Sequence, residues 1–248
     1  MLDIVVPMAG LGSRFANAGY TDPKPLISIH GIPMIQVVID NLRPAGPHRF
    51  IFICQAAHVA AYGLASRFEE WTPGCELVEL DGITEGAACT VLAARHLLGA
   101  SPLMIANSDQ FVDVSIDDYI AALGDADGLI MTMSADDPKW SFVGFDARGR
   151  VERVVEKEVI SNEATVGVYN FARGIDFVEA ADRMIADNER VNNEFYVAPV
   201  YNKLIAAGAN IRVYNIGAEA EGMYGLGTPA DLDLFKGLPV SASIGGRA

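Results

Sequence analysis

Short, continuous apolar runs separated by stretches of helical spacing restrict this chain's fold more than any other feature. The runs occupy residues 4–7, 49–54, 76–80, 102–106 and 128–133, each bounded by turn residues. A strand with one wet face alternates apolar and polar side chains, whereas a run that is apolar at successive positions is covered on both faces. Between the runs, residues 34–42, 56–68, 87–98 and 116–123 carry apolar side chains at helical spacing. Strand–helix alternation of this kind predicts right-handed β-α-β crossovers. The expected fold class is therefore α/β, a Rossmann-like doubly wound layer on a mixed, mainly parallel sheet. At 248 residues and 51% hydrophobic content, the chain can fill one large core but would be cramped as two domains.

The texture changes after residue 141. Residues 142–146 and 151–155 flank the turn Ala147-Arg148-Gly149-Arg150 and predict a hairpin. A strand at 165–171, helices at 176–185 and 194–207, a strand at 210–216 and a short helix at 228–236 follow. Residues 238–248 are rich in Gly and Ser and read as a frayed tail.

The first apolar run leads into Pro7-Met8-Ala9-Gly10-Leu11-Gly12-Ser13-Arg14-Phe15, then Pro23-Lys24-Pro25-Leu26. Glycines let backbone N–H groups come close to phosphate oxygens, and Arg14 and Lys24 add the formal charge that N–H groups lack. The loop reads as a cradle for a triphosphate, with Met8, Ala9, Gly10, Gly12 and Ser13 as nucleotide-binding candidates. Spacing excludes two other cradles. A dinucleotide fingerprint needs a third glycine where Phe15 stands, and a P-loop needs Gly-Lys-Ser/Thr where Phe15-Ala16-Asn17 stands.

Gly-x-Gly-x-Arg-Phe followed by Pro-Lys-Pro-Leu resembles the signature of the sugar-phosphate nucleotidyltransferases, which join a nucleoside triphosphate to a phosphorylated metabolite and release pyrophosphate. The resemblance runs in order through Glu85-Gly86-Ala87-Ala88, Asn107-Ser108-Asp109, Glu156-Lys157, Gly167-Val168-Tyr169-Asn170-Phe171, Asn193-Glu194-Phe195-Tyr196 and Gly225-Leu226-Gly227-Thr228-Pro229. It implies the nucleotide-diphospho-sugar transferase fold in a single domain over residues 1–237. The nucleotide-binding part would cover about 1–135 and the acceptor-binding part about 136–237, with 238–248 as tail.

Asp109 follows a central strand, at the carboxyl end where open α/β sheets bind ligands. A hard divalent cation on triphosphate oxygens wants a carboxylate there, and the resemblance implies that Asp109 holds Mg²⁺. It likewise implies that the Gly86 turn contacts base or ribose, with Asp81 as an acceptor for an exocyclic amine. Gly144, Glu156, Lys157 and Asn170 fall on the acceptor side, Lys157 at the acceptor phosphate and Glu156 at its hydroxyls. Gln55 and His58 could line that side too. One departure stands out: these enzymes commonly carry a second metal-binding aspartate two residues before the late Gly-Thr, and here that position is Gly225. Glu221 or Glu219 could replace it, a cation held mainly by phosphates could suffice, or the domain could bind without turnover.

The formal net charge of −14 and the lack of any Lys/Arg cluster longer than two residues exclude a phosphodiester backbone as partner. Cys54, Cys75 and Cys89 are odd in number and lack C-x-x-C spacing, so they read as thiols of a reducing compartment. No apolar run approaches the ~20 residues of a membrane span, and the first residues lack the pattern of a secretory signal. The expectation is a cytoplasmic enzyme with Mg²⁺ as cofactor and a nucleoside triphosphate and a phosphorylated small molecule as partners. A homo-oligomer stays open. A sugar 1-phosphate is the first expectation for the acceptor, with a cytidylyltransferase of a non-sugar phosphate or phosphonate as alternative. A glycosyltransferase is disfavoured, because Gln110-Phe111 stands where Asp-x-Asp would continue. The loss at Gly225 keeps a non-catalytic binding protein as the remaining alternative.

Overall fold

The structure is a computed structural model that describes residues 1–10 and 12–244. In chain order its strands and helices are β1 (Leu2–Pro7), α1 (Ser13–Asn17), β2 (Ser28–Ile29), β3 (Ile32–Pro33), α2 (Met34–Leu42), β4 (His48–Gln55), α3 (Ala56–Tyr62), α4 (Leu64–Trp71) and β5 (Glu76–Leu80). They continue with α5 (Ala87–Leu92), β6 (Leu103–Ala106), β7 (Gln110–Val112), α6 (Ile116–Ala122), β8 (Gly128–Ser134), β9 (Ser141–Phe145), β10 (Val151–Glu156) and β11 (Glu163–Phe171). The last are α7 (Gly174–Ala186), α8 (Tyr201–Ala206), β12 (Ile211–Glu219), β13 (Gly222–Gly225) and α9 (Pro229–Gly237). Among the described residues, eleven strands join one sheet whose main path runs β5-β4-β1-β6-β11-β8-β12-β13-β7, with the β9–β10 hairpin attached through β11. The pairs β5–β4, β4–β1, β1–β6 and β8–β12 are parallel, whereas β11 runs antiparallel to both β6 and β8.

Four of the five apolar runs are covered on both faces, and the fifth, edge strand β5, keeps Glu76 and Glu79 exposed. Along β1, Ile4 and Val6 enter one core layer and Val5 the other; along β4, Phe50 and Phe52 oppose Ile51 and Ile53; along β6, Met104 and Ala106 oppose Leu103 and Ile105. Successive side chains of a strand point to opposite faces, so each run fills two layers at once. At the amino ends of these strands, Arg49 reaches Asp3 at 2.9 Å, an ion pair across the β1–β4 register.

Most predicted elements are present, and each departure has a physical cause. The helix expected over 56–68 is two helices, because Gly63 adopts φ 59° and closes α3 with a left-handed residue. The helix expected over 87–98 is α5 followed by a 3₁₀ turn at Arg95–Leu97. Residues 194–197 are not helical. The Phe195 N–H donates to Glu85 O at 2.8 Å and Phe195 O accepts from the Ala88 N–H at 3.0 Å, so this backbone is spent on a tertiary clasp and the helix begins only at Tyr201. The expected frayed tail is partly docked. Pro239–Ser243 forms a 3₁₀ turn whose Ser241 is buried and hydrogen-bonded to His30 Nε2 at 3.0 Å. The final four positions, 245–248, lie outside the described residues.

Candidate active site

The carboxyl ends of β1 and β6, parallel neighbours in the middle of the sheet, open into a cavity of about 520 Å³. Pro7, Met8, Ala9, Gly10 and Gly12 line one side of it, from the loop that leaves β1. Asn107, Ser108 and Asp109 line another, from the loop that leaves β6, and Gly86, Ala87 and Thr90 close the cavity from the start of α5. Its size suits a nucleotide-sized ligand.

Both predicted cations reach this cavity. Arg14 is exposed on α1 and lines the wall, and Lys24 Nζ sits 2.8 Å from Asp109 Oδ2. Gly12 is needed between them. It holds φ 61°, and a Cβ there would stand 3.3 Å from Lys24 Cβ, so a side chain would strain the backbone and crowd the lysine stem. Gln55 Nε2 donates to Ala9 O at 2.6 Å and fixes the loop from β4. Ser13 is exposed and lies outside the lining; Leu11 lies outside the described residues.

The turn at 84–86 is held from three sides. Thr84 and Thr90 hydroxyls donate to Gly86 O at 3.0 and 3.2 Å, and the clasp from Phe195 covers its outer face. Gly86 has φ 128°, and a Cβ would come within 2.5 Å of Phe195 O. Asp81, just past β5, is exposed and outside the lining; Ile83 and Thr84 take the wall position expected of it. His58 lines this larger cavity rather than the acceptor side.

The segment 225–227 lies against Asp109. Gly225 pairs with Gln110 across β13–β7, the Leu226 N–H donates to Asp109 O at 2.8 Å, and a Cβ on Gly227 would stand 2.8 Å from Asp109 Oδ2. A Cβ on Gly225 would instead meet Asp231 Oδ2 at 3.7 Å. Glu221 sits on the exposed turn between β12 and β13 and lines neither this cavity nor the one described next; Glu219 is paired with Lys139 at 2.9 Å. Among the described residues, no three His, Cys, Asp or Glu side chains converge as a ready cation site.

A second cavity of about 200 Å³ adjoins the first, sharing Ala87 and Asn107 in its lining. Glu156, the last residue of β10, and Ser141 opposite it form one wall, and Trp140, Tyr169 and Tyr196 form others. The Ser141 hydroxyl donates to Glu156 Oε2, and burial raises the Glu156 carboxyl above the ordinary carboxylate value. Lys157 holds φ 59° and directs its Nζ to Tyr196 Oη at 2.7 Å, a contact that raises the lysine pKa. Lys157, Gly144 and Asn170 line neither cavity. Gly144 is packed beneath Ile160 and Arg153, and Asn170 is buried in β11 with its Oδ1 unpartnered.

The side chains that sequence reasoning passed over are Thr84, Thr90, Gln110, Trp140, Ser141 and Tyr196. Trp140-Ser141 precedes the hairpin at once, and its link to Glu156 was available from pairing the two hairpin strands outward from their turn. Tyr196 stands in the Asn193-Glu194-Phe195-Tyr196 segment, and nothing local marks Thr84, Thr90 or Gln110.

The nucleotidyl transferase family model matches residues 5–209. The UTP--glucose-1-phosphate uridylyltransferase of Salmonella typhimurium is 26% identical over 191 residues, 62% of this chain and 64% of that enzyme, so the match leaves about a third of that relative's length uncovered. The 2-aminoethylphosphonate cytidylyltransferase of Lancefieldella rimae is 51% identical over 109 residues, 42% of each chain. Among solved structures, the nucleoside-diphosphate-sugar pyrophosphorylase of Vibrio cholerae RC9 superposes with a TM-score of 0.79 at 28% identity, covering 94% of this chain and 99% of that one. The inositol-1-phosphate CTP transferase of T. maritima, with a TM-score of 0.75 at 14% identity, shares the fold. With a family model matched from within β1 to just before β12 on a sheet of the same architecture, the chain belongs to the nucleotidyl transferase family.

Proposed function

We propose that this protein transfers a nucleotidyl group from a nucleoside triphosphate to a small metabolite bearing a phosphate or phosphonate, releasing pyrophosphate. The observation that carries this reading is the joining of two cavities at Ala87 and Asn107, the larger lined by Arg14, Lys24 and Asp109 and the smaller by Glu156. A sugar 1-phosphate acceptor is supported by the uridylyltransferase and pyrophosphorylase relatives, and a phosphonate acceptor by the Lancefieldella cytidylyltransferase.

An acceptor oxygen attacks the α-phosphorus in line; the bond from that phosphorus to the bridging oxygen breaks, and pyrophosphate leaves with the electron pair. Both reactants are anions, so the protein's task is to neutralise and align them. The nucleophilic oxygen is already ionised at neutral pH and needs no general base. Met8, Ala9, Gly10 and Gly12 cradle the triphosphate, Gly86 contacts base or ribose, Arg14 meets the departing pyrophosphate, and Lys24 neutralises the α-phosphate. Lys157, exposed beside Tyr196, meets the phosphoryl end of the acceptor. Asp109 suits Mg²⁺: it is a carboxylate on the cavity wall whose present partner, Lys24, is itself a phosphate-seeking cation. With no group of three carboxylate, imidazole or thiol side chains converging at Asp109 among the described residues, most oxygen ligands would come from the triphosphate. When bound, Mg²⁺ would supply charge neutralisation on the phosphate oxygens.

Pyrophosphate release with Mg²⁺, measured for CTP, UTP, GTP and dTTP against hexose 1-phosphates and phosphonates, tests the reading. Release with at least one pair is expected, and Arg14→Ala or Asp109→Asn should lower it by about 10²-fold, the size of effect seen when a transition-state charge partner is lost. Tight triphosphate binding with no release from any pair would refute transfer.

A further inference from the structure

Resting on the smaller cavity as the acceptor side, we infer that the acceptor carries a primary ammonium group at the end remote from its phosphorus, held by Glu156. The Glu156 residue is only 9% exposed. A carboxylate withdrawn from water to that degree is costly unless a cation or several donors meet it. Within the chain it has one described donor, the Ser141 hydroxyl on Oε2, and the described hydrogen bonds leave Oε1 for a ligand. The nearby lysines are engaged elsewhere. Lys157 donates to Tyr196 Oη at 2.7 Å, and Lys139 lies 2.9 Å from Glu219 and 3.6 Å from Asp137. Among the described residues, Glu156 therefore lines a cavity as a carboxylate with no ion-pair partner of its own.

The surroundings favour a cation over a neutral polyol. On the described lining of the smaller cavity Glu156 is the one carboxylate and Lys139 the one ammonium, and Lys139 is spent on Glu219 and Asp137; Glu194 adds a second carboxylate on the adjoining cavity. Trp140 and Tyr196 already serve as platforms for cations, with Lys139 Nζ 4.9 Å and Lys157 Nζ 4.8 Å from their ring centroids, and Tyr169 adds a third aromatic wall. A sugar hydroxyl could donate to Oε1 but would leave the charge uncompensated. A trimethylated ammonium would bring charge without an N–H for Oε1. A primary ammonium supplies both.

The test is a matched pair of acceptors that differ at one atom, 2-aminoethylphosphonate and 2-hydroxyethylphosphonate, with glucose 1-phosphate and phosphocholine as further arms. Pyrophosphate release with Mg²⁺ and each triphosphate should show kcat/KM at least about 10-fold higher for the amine than for the hydroxyl compound, carried mainly by KM, and Glu156→Gln should erase the difference. Equal use of the hydroxyl compound, better use of glucose 1-phosphate, or parity of phosphocholine with the primary amine would each overturn the inference while leaving nucleotidyl transfer intact. Calorimetric titration of wild-type protein with the two phosphonates reads the same preference without turnover or a variant. Preferential amine binding without pyrophosphate release would keep the ammonium site and refute transfer; equal binding would overturn the site.

Discussion

Replacing Gly227 with alanine adds one methyl group aimed at Asp109 and changes no charge. The added Cβ would stand 2.8 Å from Asp109 Oδ2, and ordinary carbon–oxygen contact requires about 3.4 Å or more, so the carboxylate must retreat by about 0.6 Å. Gly227 is not among the residues with positive φ, so alanine meets no backbone penalty there. The Lys24–Asp109 pair would be disturbed, but with side chains 22% and 25% exposed it contributes no more than about 1 kcal/mol. Melting temperature should therefore shift by no more than about 2–4 °C. Turnover is more sensitive, because a misplacement of about 1 Å at a reacting centre costs roughly 10²-fold. A shift of about half that size predicts a roughly 10-fold loss of kcat. The assay is pyrophosphate release under saturating substrates, beside a calorimetric melt. Gly225→Ala is the internal control: its Cβ would meet Asp231 at 3.7 Å, an ordinary contact, and kcat should hold. Unchanged kcat in Gly227→Ala would refute a role for Asp109 at the reacting phosphates. Equal losses in both variants would trace the effect to the stiffness of the segment instead.

Gly86→Ala should destabilise the fold by about 2 kcal/mol or more, since φ 128° disfavours a side chain and the Cβ would collide with Phe195 O at 2.5 Å; a denaturant midpoint equal to wild type would disprove the clasp. Glu156 titrates above the ordinary carboxylate range because burial penalises its charge, so the folded state binds its proton more readily than the unfolded state. Stability from this group therefore falls as pH rises from the ordinary carboxylate value through the raised one, and stays lower above it. Glu156→Gln should raise stability at neutral pH, with the gain shrinking in acid; a gain independent of pH would show that the carboxylate charge is not its source. The Cys54 thiol, pushed up to about 12 by burial, should resist alkylation at neutral pH in the folded protein, and rapid labelling under native conditions would contradict its burial.

The apolar runs made the central sheet legible, since side chains that must be dry on both faces leave few alternatives to a helix-covered sheet. Residues 34–42 and 76–80 coincide with α2 and β5. The break at Gly63 is local, but other departures were set by partners remote in sequence. The helix expected from 194 loses its first residues to the clasp on Glu85 and Ala88, and the tail through Ser241 docks beside His30. β7 and β13 are three and four residues long, β7 pairing with β13 and β13 in turn with β12, too short to leave a periodic signal.

The sequence by itself determined the α/β layer, the Gly-rich loop after β1 and the cations on it, because glycine freedom, apolar period and formal charge are local properties. Only the tertiary structure decided that Lys24 meets Asp109 across 85 residues, that Gly227 rather than Glu221 abuts that carboxylate, and that Glu156 lines an aromatic cavity with no ion-pair partner among the described residues. The physical reason is that contacts between strand ends depend on sheet order and register, which no short stretch of chain contains.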